Sequence, residues 1–216
     1  MTLSVDLFWS FRSPYSYLAT GRIVALERDW DLTVNVRPVL PLAVRDPSFF
    51  SPANRKRAAY IRADAPRVAA MMGLPFRWPR PDPIVQDMET LTIAEEQPYI
   101  FRLTRLGAAA AEAGHGLPFI DLVSDLIFGG TEGWNEDECL ADAVRRAGLD
   151  LAELDAAVAA DPAKWDAVIE ANQAALDRSG HWGVPTLVFE GEPFFGQDRI
   201  EMCVWRMRQK GLAPRA

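Results

Sequence analysis

Phe11-Arg12-Ser13-Pro14-Tyr15-Ser16-Tyr17 stands where one apolar pattern gives way to another. Before it, Leu3 to Trp9 alternates with large apolar residues, the period of a strand. After it, Tyr17, Leu18, Ile23, Val24 and Leu26 recur at helical spacing. Ser13 is a natural N-cap, because its hydroxyl can accept from an orphan N–H of the first turn. Pro14 follows at the first helical position, where its missing N–H costs nothing. Leu32 to Val36 alternates again and predicts a second strand that ends before Pro38. Strand, helix and strand of this length make a βαβ unit with a parallel pair.

Beyond that unit the chain from about Pro41 to Ser179 is helical and poor in strand signals. Pro47, Pro52, Pro75, Pro79, Pro81 and Pro83 predict short helices or extended linkers in its first half. In the second half, Asn135 with Glu138 predicts a capping box, and Gly148 stops that helix. Asp150 with Glu153 starts the next, Asp161-Pro162 another, and Gly180 ends it. Strand signals return at Thr186 to Phe189, with a hairpin turn at Glu190-Gly191-Glu192, a short strand from Pro193 to Phe195, and a closing amphipathic helix from Gln197 to Lys210. The order βαβ, helices, ββα predicts an α/β thioredoxin fold with an all-α insertion. Residues 1–40 and 181–216 would form the thioredoxin-like domain and residues 41–180 the inserted helical domain.

The composition narrows the function. The 216 residues carry a net charge of −7, which argues against nucleic acid or an anionic membrane surface as partner. No run approaches the roughly 20 apolar residues of a membrane span. The apolar N-terminus lacks a basic leader and is broken by Asp6, Arg12 and Pro14, so it reads as a buried strand and not a signal peptide. Cys139 and Cys203 are far apart and read as two buried thiols, consistent with the reducing cytoplasm. No Cys/His cluster has metal-ligand spacing, and no glycine-rich phosphate loop follows a strand, so neither metal nor nucleotide is expected.

The chemistry-bearing residues lie in two distant parts: the Ser13 turn, and Gly183-Val184-Pro185-Thr186 before the returning strand. In the thioredoxin fold these positions meet, the second as a cis-proline loop offering the Val184 backbone to an extended, peptide-like ligand. Neither Ser13 nor Ser16 can supply the thiolate that disulfide exchange needs. A helix N-terminus with free N–H groups can still stabilise a thiolate that arrives from outside. Ser13 Oγ–H is the natural donor to such a sulfur; the plainer reading is an N-cap serine and nothing more.

Ser13-Pro14-Tyr15-Ser16-Tyr17-Leu18, Val184-Pro185 and Phe195-Gly196-Gln197-Asp198-Arg199-Ile200, in this order, resemble the DsbA-like superfamily. More closely, they resemble its 2-hydroxychromene-2-carboxylate isomerase and kappa-class glutathione transferase branch. Gly148-Leu149-Asp150 and the helices after it are also similar, so the resemblance spans nearly the whole chain. It implies glutathione as the external thiol, bound by Trp182, Val184, Pro185, Gln197 and Asp198, with Ser13 as the catalytic residue. Asp198 would hold the α-amino group of the γ-glutamyl arm; otherwise it is a charge at a helix N-terminus. Tyr15 and Arg12 are candidates for the substrate pocket, and Arg199 is either a ligand or a structural ion-pair partner. The resemblance also implies a homodimer.

The branch's Asn-Lys-Pro-type segment after the second strand is missing from Asp46-Pro47-Ser48-Phe49-Phe50-Ser51. Arg55, Lys56 and Arg57 read as a solvated helix face, with a substrate-carboxylate site as the sharper alternative. His115 sits in a glycine-rich break; His181 either lines the pocket or caps the preceding helix. Three activities stay open at this point. The first is glutathione-dependent isomerisation of a conjugated aromatic small molecule by reversible thiol addition. The second is kappa-type transferase or peroxidase chemistry, and the third is binding without turnover.

Overall fold

The computed structural model describes residues 2–46, 55–87, 89–90 and 92–215. The first elements are β1 (Leu3–Trp9), α1 (Pro14–Asp29) and β2 (Leu32–Pro38). Seven helices follow among the described residues: α2 (Leu42–Arg45), α3 (Arg55–Met72), α4 (Ile100–Glu112), α5 (Gly116–Phe128), α6 (Asp137–Arg146), α7 (Leu151–Ala160) and α8 (Pro162–Arg178). The chain closes with β3 (Thr186–Phe189), β4 (Glu192–Phe195) and α9 (Ile200–Gln209). The four strands form one sheet in the order β2-β1-β3-β4. β1 and β2 are parallel, with Leu3 opposite Leu32; β3 is antiparallel to β1, and β4 to β3. This is the predicted α/β thioredoxin arrangement.

Central β1 is covered on both faces, which is why Leu7-Phe8-Trp9 reads as a continuous apolar run. Val5, Leu7 and Trp9 belong to the main core, while Phe8 packs with Val39 and Leu176 on the other face. Two buried polar side chains between β1 and α1 are satisfied through one chain of bonds. Trp9 Nε1–H donates to Thr20 Oγ1 at 3.0 Å, and Thr20 donates to the Ser16 carbonyl at 2.7 Å. Phe11 is fully buried, edge-on to Trp9 (4.6 Å) and Phe119 (6.0 Å), and fixes the direction in which the chain leaves β1. Helix α4 crosses it closely: a Cβ at Gly107 would lie 2.8 Å from the Phe11 ring.

Most element limits fall where the sequence places them. Asp150 accepts from Glu153 N–H and Asp161 from Lys164 N–H as N-caps, and Gly180 has φ +91° just past α8. Three expectations change. The capping box at Asn135 is not formed: Glu136 N–H bonds the Gly133 carbonyl, which puts Glu136 at the cap, without a side-chain bond. Asp137 and Glu138 in the first turn meet the helix dipole instead. Helix α3 is long and runs through Pro66, whereas the prolines from 75 to 83 lie in a stretch without helix, as predicted. The last helix begins at Ile200 and not at Gln197, because Gly196 adopts φ +108° and Arg199 N–H closes a turn onto its carbonyl. Among the described residues no helix is long and apolar enough to cross a membrane.

Candidate functional site

Three segments distant in sequence converge at the N-terminus of α1. Ser13 caps the helix in an extended conformation, its Oγ accepting from Ser16 N–H at 3.2 Å. The same hydroxyl donates to the Val184 carbonyl at 3.3 Å, and Val184-Pro185 is cis as expected. That contact is long against the roughly 2.7–2.8 Å usual for O–H···O bonds, so the proton is loosely held and can be redirected. The Pro185 carbonyl accepts from Gly196 N–H at 2.9 Å, which joins the third segment, 196–199, to the first two. Arg22 on α1 closes the ring by donating to both the main-chain carbonyl and Oε1 of Gln197, the latter at 2.7 Å. Burial lowers the Arg22 pKa, against the opposing pull of Glu201 and Asp198.

Asp198 therefore sits in the turn before α9 and not in its first helical turn. Its carboxylate folds back over Gly196, where a Cβ would lie 2.6 Å from Oδ1. The left-handed φ of Gly196 independently calls for glycine. Asp198 pairs with Arg199 Nη1 at 2.7 Å, and both side chains are exposed. An exposed pair of this kind is worth under about 1 kcal/mol, so a ligand ammonium can compete for the carboxylate.

The cis-proline loop is held from two sides. Arg45 on α2 donates to the Trp182 carbonyl at 2.8 Å and to the Leu40 carbonyl at 2.8 Å. The His181 ring stacks on Phe195 at 4.0 Å and on Trp182 at 5.0 Å. Trp182 is 45% and Phe195 39% exposed, so this stack presents an aromatic surface beside the loop. His181 Nδ1 accepts from Gly183 N–H at 2.9 Å, which puts the proton of the neutral ring on Nε2. Burial lowers the His181 pKa, and an N–H donated to Nδ1 favours the neutral ring as well. Gly183 lies flat under the stack, since a Cβ there would be 2.4 Å from the Phe195 ring.

Arg12 and Tyr15 turn toward the segments between β2 and β3. Arg12 makes a two-pronged pair with Asp82 (2.8 and 3.1 Å) and also reaches Gln86 at 3.0 Å. Its charge is thus already matched. The Tyr15 hydroxyl donates to Asp64 Oδ2 at 2.8 Å; burial and then this bond hold its pKa well above that of a free phenol. Tyr15 therefore keeps its proton, with Asp64 as its acceptor. Arg55 and Lys56 are exposed on α3, Arg55 bonding the Glu89 carbonyl. Most of the Asp46–Ser51 segment lies outside the described residues.

No thiol of the chain serves this site. Cys203 is fully buried on α9, its pKa pushed up to about 12 chiefly by burial, and Cys139 is half-buried on α6. What the site offers is donors. No described residue accepts from the N–H of Tyr15 or of Val184, and the Ser13 hydroxyl is loosely held. The N-terminus of a 16-residue helix adds partial positive charge. Such a set fits a bound thiolate.

The model of the DSBA-like thioredoxin domain matches residues 4–207. The chain belongs to the DSBA-like thioredoxin family. Within this family it is 26% identical over 211 residues to the 2-hydroxychromene-2-carboxylate isomerase of Pseudomonas putida, covering 92% of this chain and 91% of that protein. A solved structure of 2-hydroxychromene-2-carboxylate isomerase shares the fold at a TM-score of 0.71 and 22% identity, over 96% of this chain and 95% of that one. The cytosolic disulfide reductase DsbM of Pseudomonas aeruginosa, solved with GSH, shares it at 0.62 and 18%, over 95% and 100%. This DSBA-like chain has a cis bond at Val184-Pro185 and serine at both ends of the Ser13-Pro14-Tyr15-Ser16 turn.

Several residues that build the site carry no local signal. Arg22 and Gln197 are 175 positions apart, and Arg45 and Trp182 are 137 apart. Asp64 and Asp82 look like ordinary surface carboxylates until the fold sets them against Tyr15 and Arg12. Gly183 gives a weak hint by standing directly before Val-Pro, but Phe195 explains it only in three dimensions.

Proposed function

We propose that this chain is a glutathione-dependent isomerase of the 2-hydroxychromene-2-carboxylate type, acting in the reducing cytoplasm on a conjugated aromatic small molecule. One observation carries the reading: the Ser13 hydroxyl, at the N-terminus of α1 and 3.3 Å from the carbonyl of Val184 at the cis-proline, stands where no cysteine is present. Glutathione, when bound, supplies a thiolate for reversible conjugate addition, which is nucleophilic catalysis with a borrowed nucleophile. Ser13 would turn its proton from Val184 toward the sulfur. The α1 dipole and the Tyr15 N–H would favour the ionised form. The Val184 N–H would pair with the peptide backbone of the tripeptide as an added strand. Asp198 would hold the ammonium of the γ-glutamyl arm, and Trp182 would border the bound tripeptide. Residues 41–180 would supply the substrate pocket.

Similarity to the isomerase at 26% identity along nearly the full chain supports the same reading. The test is to follow the ultraviolet spectrum of 2-hydroxychromene-2-carboxylate with the protein, with and without glutathione. A rate that saturates with glutathione and yields a sulfur-free isomer is the expected result. Accumulation of a glutathione conjugate would assign transferase chemistry instead. No thiol-dependent change in any spectrum would reject the isomerase.

A further inference from the structure

We propose that Arg22 is a positioning residue for thiol binding: it locks the Gln197 side-chain amide so that the amide NH2 group serves a carboxylate of the bound tripeptide. The inference rests on the functional reading above and adds Arg22, whose position in the sequence suggests no role, to the Gln197 contact that the resemblance implies. Arginine has donors only, so the Gln197 amide atom 2.7 Å from Arg22 Nη2 must be the oxygen. That fixes which way a group otherwise ambiguous in orientation points. The second Nη2 hydrogen goes to the main-chain carbonyl of the same residue, so one nitrogen of α1 grips Gln197 at two points. The amide Nε2 then faces away from Arg22, half-buried and with no acceptor among the described residues.

The neighbouring residue is Asp198, whose carboxylate is exposed and, among the described residues, held only by Arg199. An amino-acid terminus carries an ammonium and a carboxylate on one carbon, and so needs an acceptor and a donor side by side. Gln197 Nε2 and Asp198 provide that pair on one turn. Gly196 ties the turn to the cis-proline loop through the Pro185 carbonyl. Arg22 also places a cation beside Asp198, which offsets the repulsion Asp198 alone would exert on a ligand carboxylate. Arg22 Nε is buried without an acceptor, so the side chain is held for its Nη2 contacts at the expense of another donor.

The experiment is calorimetric titration of the full chain with glutathione and, separately, with N-acetylcysteine, a thiol that lacks the γ-glutamyl end. Wild type, Arg22→Met, Arg22→Lys and Gln197→Glu are compared, each with its thermal unfolding midpoint. Arg22→Met is expected to weaken glutathione about tenfold, with partial recovery in Arg22→Lys and no change for N-acetylcysteine. Gln197→Glu keeps an oxygen for Arg22 and therefore its unfolding midpoint. It replaces the donor with a second carboxylate, so glutathione binding falls tenfold or more. Should Arg22→Met fail to fold, Gln197→Glu decides alone. Glutathione affinity unchanged in a folded Arg22→Met or in Gln197→Glu, or equal losses for both thiols, overturns the inference while the function stands. A wild type that binds no glutathione overturns both.

Discussion

Replacing Ser13 by alanine removes one hydroxyl with two jobs, and the structure separates their sizes. As an N-cap, its Oγ accepts from Ser16 N–H. Loss of a serine cap to alanine costs about 1 kcal/mol, and glycine in the same place costs only a few tenths. The Val184 contact adds little to this, because 3.3 Å is long for a hydroxyl donor. In a chain of this size about 1 kcal/mol lowers the unfolding midpoint by roughly 2–4 °C. As a donor to bound sulfur the hydroxyl is worth more, since a hydrogen bond to a charged group contributes about 1.5–3 kcal/mol. At about 1.36 kcal/mol per pKa unit, its loss raises the pKa of the bound thiol by about one to two units. The thiolate fraction at neutral pH then falls roughly tenfold or more, with the helix dipole and the Tyr15 N–H still in place. Ser13→Gly tests this most cleanly: it should restore nearly the wild-type unfolding midpoint while leaving the bound thiol as weakly ionised as in Ser13→Ala. The assay is a pH titration of thiolate ultraviolet absorbance on the glutathione complexes, beside thermal melts of the same samples. A wild-type thiol pKa in Ser13→Gly would refute the argument and leave Ser13 as a cap only.

Two further outcomes follow from the cis-proline loop. Gly183→Ala places a methyl 2.4 Å from the Phe195 ring and must push that ring off His181, with an expected loss of about 1–3 kcal/mol. Phe195→Ala in the same chain should recover most of it. Strict additivity in denaturant melts of the double-mutant cycle would show that the ring is not the obstacle. The folded pKa of His181 is depressed below its ordinary 6.5, so on acidification the unfolded chain takes this proton first. Stability therefore rises with pH through the window below 6.5 and is lost as pH falls through it. His181→Gln should flatten that part of the curve of unfolding midpoint against pH; an unchanged slope would place the proton uptake elsewhere.

The strand-to-helix turn at Ser13 was legible because its signals are local. A change of apolar period, a capping side chain and a proline at N1 each act within a few residues. The element order was legible for the same reason, and with it the sheet, since a βαβ unit leaves few ways to place a returning hairpin. Boundaries failed where a local motif competed with a turn. Asn135 and Glu138 match a capping box, yet the bond from Glu136 to Gly133 moves the helix start on by one residue. Gln197 and Asp198 read as helix, yet the φ of Gly196 holds them in a turn.

The sequence by itself determined that the Ser13 turn holds no thiol nucleophile, because that depends only on which atoms are present at 13 and 16. The tertiary structure alone decided which polar groups are already spent. Arg12 is matched by Asp82, and Tyr15 gives its proton to Asp64. Gln197 is gripped by Arg22, while the Ser13 proton is held loosely enough to turn toward a ligand. A hydrogen-bonding group serves chemistry only if its partners leave it capacity. Those partners lie from 49 to 175 residues away along the chain, beyond the reach of any local pattern.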